Sequence, residues 1–352
     1  MVNKYLLILC FILCFILTGC LPKQPIATPT VKPSATSQIK DYVCTGEYDL
    51  KYEGHSFTVD YKGNFYLTKY ANKSRMNIKK YNSQGKYITS WIPEIKKRKK
   101  NGWFSEKKEL PHSEQISDIF ADNESFYLIY GASYNNYREC LGHIEKFDLN
   151  GNFITAIKPE KDSYMGDSPG YITKDKNGNF YLASHRHIEK YDTNWKLQSI
   201  LYPFEQKQKW YKKKKSNLQP ISGIDDLIVD SQGYIHILIK NGDIMEPYSH
   251  VAKFDSSGNF LMNRRFSEGN DYFYLCAIEI DSDDIIYVLG VNYDKKYRIQ
   301  KFDSSGNFIT GWNFERTENM FISRYTDMKI DTKRNVYIFF VKGTIKKFSP
   351  KQ

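Results

Sequence analysis

Only one long hydrophobic run occurs in this chain of 352 residues, at Tyr5–Leu17. Its thirteen residues fall short of the roughly 20 that a membrane-spanning helix needs. Cysteine is also scarce. Of the six, Cys10 and Cys14 lie in the apolar run and Cys20 closely follows it. Cys44, Cys140 and Cys276 remain, an odd number that allows at most one internal disulfide. That excludes a disulfide-stapled scaffold and points to buried free thiols. No Gly-x-Ser-x-Gly, Cys–His pairing signal, phosphate loop or dinucleotide fingerprint appears, which removes the commonest hydrolase, nucleotidase and oxidoreductase signatures. The turns DKNGN (175–179) and DLNGN (148–152) begin like a calcium loop. They then carry Phe180 or Phe153 at the position that needs glycine, and Arg186 or Pro159 at the one that needs glutamate. They are hairpin turns.

The first forty residues are a targeting region. Lys4 precedes the apolar run and Leu17-Thr18-Gly19-Cys20 closes it, a layout that suits an export signal. The small pair before Cys20 resembles the lipobox of bacterial lipoproteins. That resemblance implies a signal peptide over 1–19, cleavage before Cys20, and a diacylglycerol on its thiol. The protein would then sit on the bacterial cell membrane or envelope, lipid-anchored and facing outside the cytoplasm. Acyl chains partition at ~0.8 kcal/mol per buried CH2, enough for stable attachment. Residues 21–40 are rich in Pro, Thr, Ser and Lys without apolar periodicity and read as a flexible tether, so with the lipidated Cys20 that the resemblance implies, 20–40 is expected to be the anchor segment. The folded body is 41–352.

Within the body the octamer KFDSSGNF occurs at 253–260 and again at 301–308. It belongs to a longer unit, seen as HIEKFDLNGNFITAI (143–157), HVAKFDSSGNFLMNR (250–264) and RIQKFDSSGNFITGW (298–312). A second pattern precedes each copy, as in ITKDKNGNFYL (172–182), LIVDSQGYIHIL (227–238) and MKIDTKRNVYIF (328–339). Each half is two alternating β-branched and aromatic runs around an Asp/Asn/Gly/Ser turn, a hairpin signal. Two hairpins make a four-stranded antiparallel sheet, a–b–c–d. Six units, marked by Tyr81, Phe147, Tyr191, Phe254, Phe302 and Phe348, predict an all-β six-bladed β-propeller. The sixth unit lacks strand d, and DYVCTGEYD at 41–49 is a strand without a partner. The N-terminal strand is therefore expected to complete blade six and close the ring.

The combined pattern resembles NHL-repeat propellers and the related six-bladed propeller lipoproteins of bacteria. The resemblance covers about 41–352 and implies the fold. It does not choose a function, since that scaffold hosts binding proteins and a few lyases and hydrolases alike.

Strand a starts from the inter-blade d–a connection, so that connection and the b–c loops share one end, called top here. The a–b and c–d turns, both DSSGN copies among them, share the bottom. Long loops at Tyr70–Asn77, Ile129–Gly142, Ile239–Ser249 and Leu289–Tyr297 are expected at the top, where binding usually resides. Two large insertions join them, 92–115 and 202–222, with net charges of +3 and +5 in a chain of +11. Lys96, Lys97, Arg98, Lys99, Lys100 and Trp103 mark the first; Trp210, Tyr211, Lys212, Lys213, Lys214 and Lys215 mark the second. Such basic, aromatic-bearing loops suit a surface protein or acidic polymer, with nucleic acid a poorer fit for an envelope protein.

Counting along strand a places Asp118, Asp226 and Asp327 near the top of the innermost strands, with Glu279 two residues further along the same face. Such a set could coordinate calcium or supply an acid/base pair for a lyase or lactone hydrolase, the alternative to a binding module. Short acids there could equally satisfy main-chain N–H groups of neighbouring blades. A structural scaffold is the third reading. No cofactor follows from the sequence. His143, His187 and His250 open strand c, about 15 Å from the axis, and cannot share one metal.

Overall fold

The structure, a computed structural model, describes residues 41–50, 54–72, 75–93, 115–131, 143–157, 170–184, 187–203, 223–239, 249–265, 267–268, 271–272, 274–292, 296–315, 326–340 and 342–351. Six four-stranded antiparallel sheets follow one another along the chain, with a two-residue ribbon (Ser267–Glu268 with Asp271–Tyr272) between the fourth and fifth. Blades one to five each use four consecutive strands in the order a–b–c–d. Blade six takes strands a to c from Asp327–Ile330, Val336–Phe340 and Thr344–Pro350, and its strand d is Tyr42–Asp49. The ring closes as the truncated repeat predicts.

The closing register runs from Tyr42 opposite Pro350 to Asp49 opposite Thr344. Tyr42 anchors it. Its ring stacks on Trp312 at 4.5 Å and meets Tyr287 edge-on. Its hydroxyl lies 3.0 Å from that of Tyr287 and donates to the Arg334 carbonyl. Cores of buried aromatic and aliphatic side chains fill each seam between blades, such as Phe57, Phe65, Tyr337 and Phe339 between one and six.

The repeat motif is explained by contacts. Asp60 ends strand a and accepts main-chain N–H bonds from Lys62 and Asn64 at 2.9 Å, which fixes the turn. Its other oxygen accepts the Tyr66 hydroxyl at 3.0 Å. Asp122–Tyr127, Asp175–Tyr181, Asp281–Tyr287 and Asp331–Tyr337 repeat that bond. The lysine of strand c lies over the same tyrosine ring, at 5.1–5.6 Å in Lys80, Lys146, Lys190, Lys301 and Lys347. Blade four departs from this. His236 replaces the tyrosine and places Nε2 3.1 Å from Asp230, while Lys253 moves over Tyr234.

The octamer itself builds c–d turns. Asp255 and Asp303 each accept the main-chain and side-chain N–H groups of Asn259 and Asn307. Gly258 and Gly306 sit at φ +81°, a conformation that suits glycine. A Cβ there would also meet the neighbouring blade, at 3.3 Å from Leu201 and 3.2 Å from Arg264. The glycine thus serves both the turn and the seam.

Two expectations are corrected. Blades one and five have no long b–c loops at 70–77 and 289–297, because Phe65–Asn72 and Arg75–Tyr81 stay paired to Asn72 opposite Arg75, and Ile286–Val291 and Lys296–Phe302 to Val291 opposite Tyr297. Cys44 is a free thiol but exposed, since it lies on the outermost strand; Cys276 is partly buried, and its thiol donates to the Tyr274 carbonyl at 3.7 Å.

Candidate functional site

The innermost strands start at the top end and line an axial cavity of about 420 Å³, from Ser56, Ile116 and Asp327 near their starts to Val59, Ala121 and Ile330 at their ends, with all six blades contributing. Asp118, Asp226, Asp327 and Glu279 all contribute, so the four predicted carboxylates do share one site. Both basic insertions connect a strand d to the next strand a, Trp91 to Gln115 and Leu201 to Ile224, and therefore leave from that same end. Lys96–Lys100, Trp103, Trp210, Tyr211 and Lys212–Lys215 lie outside the described residues, as do Cys20, Cys140 and the whole 1–40 segment.

Period-two counting misses part of the wall. Strand a skips one residue of register in blades two, four and five, at Ser117, Asp225 and Cys276. A bulge re-aims side chains, and all three line the cavity. The fifth carboxyl, Asp225, enters the site this way.

Two of the aspartates staple blades together. Asp118 accepts main-chain N–H bonds from Ile119 at 2.8 Å and from Ile172 of blade three at 3.2 Å. Asp226 does the same with Leu227 and with Ile278 of blade five, both at 2.9 Å. Asp118 and Asp226 thus fasten odd-blade strands, one of the roles the sequence left open. Asp327 accepts from Met328 at 2.7 Å.

Lys329 is the cation of the cluster. Its ammonium donates to Glu279 at 2.7 Å and stands 3.5 Å from Asp327. Burial opposes its charge, but the carboxylates of Asp327, Glu279, Asp226 and Asp118 overcome this and hold its pKa well above the usual lysine value. Among the described residues Lys329 is the one ammonium that lines the cavity with the five carboxyls. Burial pushes Asp118 up to about 7, with Lys329 opposing and Asp327 reinforcing the rise. Burial likewise raises Asp226 well above the carboxylate range and raises Glu279. Tyr171 rises through burial and through Asp225 and Asp226 beside it. Among the described residues no three His, Cys, Asp or Glu side chains are placed to hold one metal ion.

The strand-c histidines sit elsewhere and are buried. His143 stacks on Tyr130 at 4.4 Å, and His187 has Nε2 3.4 Å from Glu189.

No known family model matches the chain, and no curated protein matches it. Solved structures do. A streptogramin B lyase structure aligns with a TM-score of 0.50 at 9% identity, covering 90% of this chain and 100% of that one. The Pan2 WD40 domain of Neurospora crassa aligns at 0.52 and 10% identity, covering 90% and 98%. A protein of unknown function from Dyadobacter fermentans aligns at 0.52 and 12% identity, covering 89% and 100%. At such identities the likeness concerns the fold alone: the chain is an all-β six-bladed propeller, similar in fold to the lyase and the WD40 domain.

Proposed function

We propose that this chain is a membrane-anchored extracytoplasmic lipoprotein, NHL-like in its repeat, whose propeller is a binding module with its ligand at the top end. The lipobox-like Leu17–Cys20 and the following tether support the anchor. The observation that carries the binding reading is the six-blade polar axial cavity, whose innermost strands start at the end from which both basic insertions leave. Function on a propeller gathers where unequal loops surround a rigid opening. The bottom turns are short and internally satisfied by their own aspartates. A surface protein or acidic polymer is the proposed partner of Lys96–Lys100 and Lys212–Lys215. The full-length protein should be retained on a polyanionic column and elute at sharply lower salt after charge reversal of those lysines and Arg98. Unchanged elution would remove the loops from the site.

An enzymatic reading, lyase-like or hydrolase-like, draws on Asp118, which titrates near neutrality and so suits acid/base work. It requires calcium or a chelator to move the melting temperature and Asp226→Asn to abolish that movement. Identical melting in both conditions counts against it.

A further inference from the structure

We propose that the seam between blades four and five holds a single small anion of halide size beside Arg264. The site lies by the bottom turns and is independent of whatever the top end binds.

The repeat marks the place by breaking its own rule twice. Arg264 of strand d packs against Gly306 of the next blade, as Leu201 packs against Gly258 and Trp91 against Gly151. These share one register position, opposite the same residue of strand c, which Ile157, Trp312 and Tyr48 fill in the other blades. Blade four alone puts a charge there. The same blade has His236 where the other five have a tyrosine. The two departures meet, because Arg264 and His236 line one cavity of about 30 Å³ together with Lys253, Met262, Ile286 and Phe302. That volume admits one or two water-sized bodies and no organic ligand.

Arg264 calls for a partner. Its Nε and Nη1 are buried without an acceptor among the described residues. The indole N–H groups of Trp91 and Trp312 are buried alike at the equivalent position. Those are neutral, however, and an unpaired charge costs far more to bury than an unpaired dipole. The Phe302 ring, 5.3 Å from the guanidinium carbon, offsets only part of that cost.

The nearby carboxylates are engaged elsewhere, and none lines the cavity among the described residues. Asp230 accepts from the main chain of Gln232 and Tyr234 and from His236 and Lys253. Asp284 accepts from Ser231, and Asp303 from Asn307. Burial lowers the Arg264 pKa, and Asp303 opposes this from outside the lining. Lys253 donates to the Ser304 carbonyl at 2.8 Å, so the two charged groups of the wall are both cations. Cationic donors on one side and apolar walls on the other suit a weakly hydrated halide.

Melting of the full-length protein in mixtures of sodium chloride and sodium gluconate, at constant ionic strength and pH 7.5, tests this. A saturable rise with chloride is expected, about 2 °C at ten times the dissociation constant. Arg264→Leu copies Leu201 of blade three and should fold and lose that dependence. Crystals grown in sodium bromide should show anomalous density beside Arg264. A melting temperature indifferent to the anion, a chloride response undiminished in Arg264→Leu, or bromide crystals without density in this seam would each overturn the proposal. Should Arg264→Leu fail to fold, chloride-dependent melting and bromide density in the native protein decide it.

Discussion

Tyr42→Ala is the sharpest perturbation of the ring. The residue is only 6% exposed and lies in a strand that joins the two ends of the chain. A buried tyrosine removes about 150–250 Å² from water, and at ~25 cal/mol per Å² that amounts to about 4–6 kcal/mol. The unfolded chain already hides part of this area, so the lower end, about 4 kcal/mol, is the better figure. The loss falls on Trp312 and Tyr287 of blade five and on strand c of blade six together. Tyr42→Phe keeps the stacking and loses the hydroxyl contacts; since Tyr287 retains its bond to Asp281, about 1 kcal/mol is expected. Val43→Ala, on the exposed side of the same strand, should cost under about 0.5 kcal/mol. Urea unfolding of the three variants, followed by fluorescence and circular dichroism, reads these values. If Tyr42→Ala unfolds at the Val43→Ala midpoint, the N-terminal strand does not close the ring.

Gly306→Ala should cost about 1–2 kcal/mol in the same assay, because it places a side chain at φ +81° against Arg264. Burial holds His236 below its ordinary pKa, with Asp230 opposing, so the unfolded chain takes the proton first. The stability this contributes is present above about pH 6.5 and lost on acidification. His236→Tyr restores the bond made in the other blades and should flatten the pH 5–7 limb of a stability profile. Asp118 has the opposite sign: its carboxyl, pushed up to about 7, holds a proton longer in the folded state. It therefore costs stability as pH rises from about 4 through 7, and Asp118→Asn should be relatively most stable above pH 7.

The blades were legible because each repeat carries its own turn chemistry. The aspartate that caps the turn lies five or six residues before the tyrosine it binds, as Asp60 and Tyr66 show, and the lysine over that ring directly precedes the aromatic residue that marks strand c, as Lys80 precedes Tyr81. Closure was legible from a missing strand. The cavity wall was half legible. Asp118, Asp226 and Asp327 follow from period-two counting, whereas Asp225 enters through a bulge that the alternating pattern does not mark. Lys329 lies two residues after Asp327 on the same strand, yet its part as the cluster's cation depends on Glu279 of the adjacent blade, some fifty residues away in sequence. Neighbour-blade contacts of this kind have no local signature.

The account stands on the top end of the propeller as the place where ligand is held. Hydrogen exchange on the full-length protein, with and without a saturating polyanion such as heparin, tests this directly. Protection is expected at the strand-a starts, 115–117 and 224–226, which flank the two basic insertions, with the bottom turns at 255–259 and 303–307 unchanged. Protection concentrated in those bottom turns, with the strand-a starts unaffected, would contradict it.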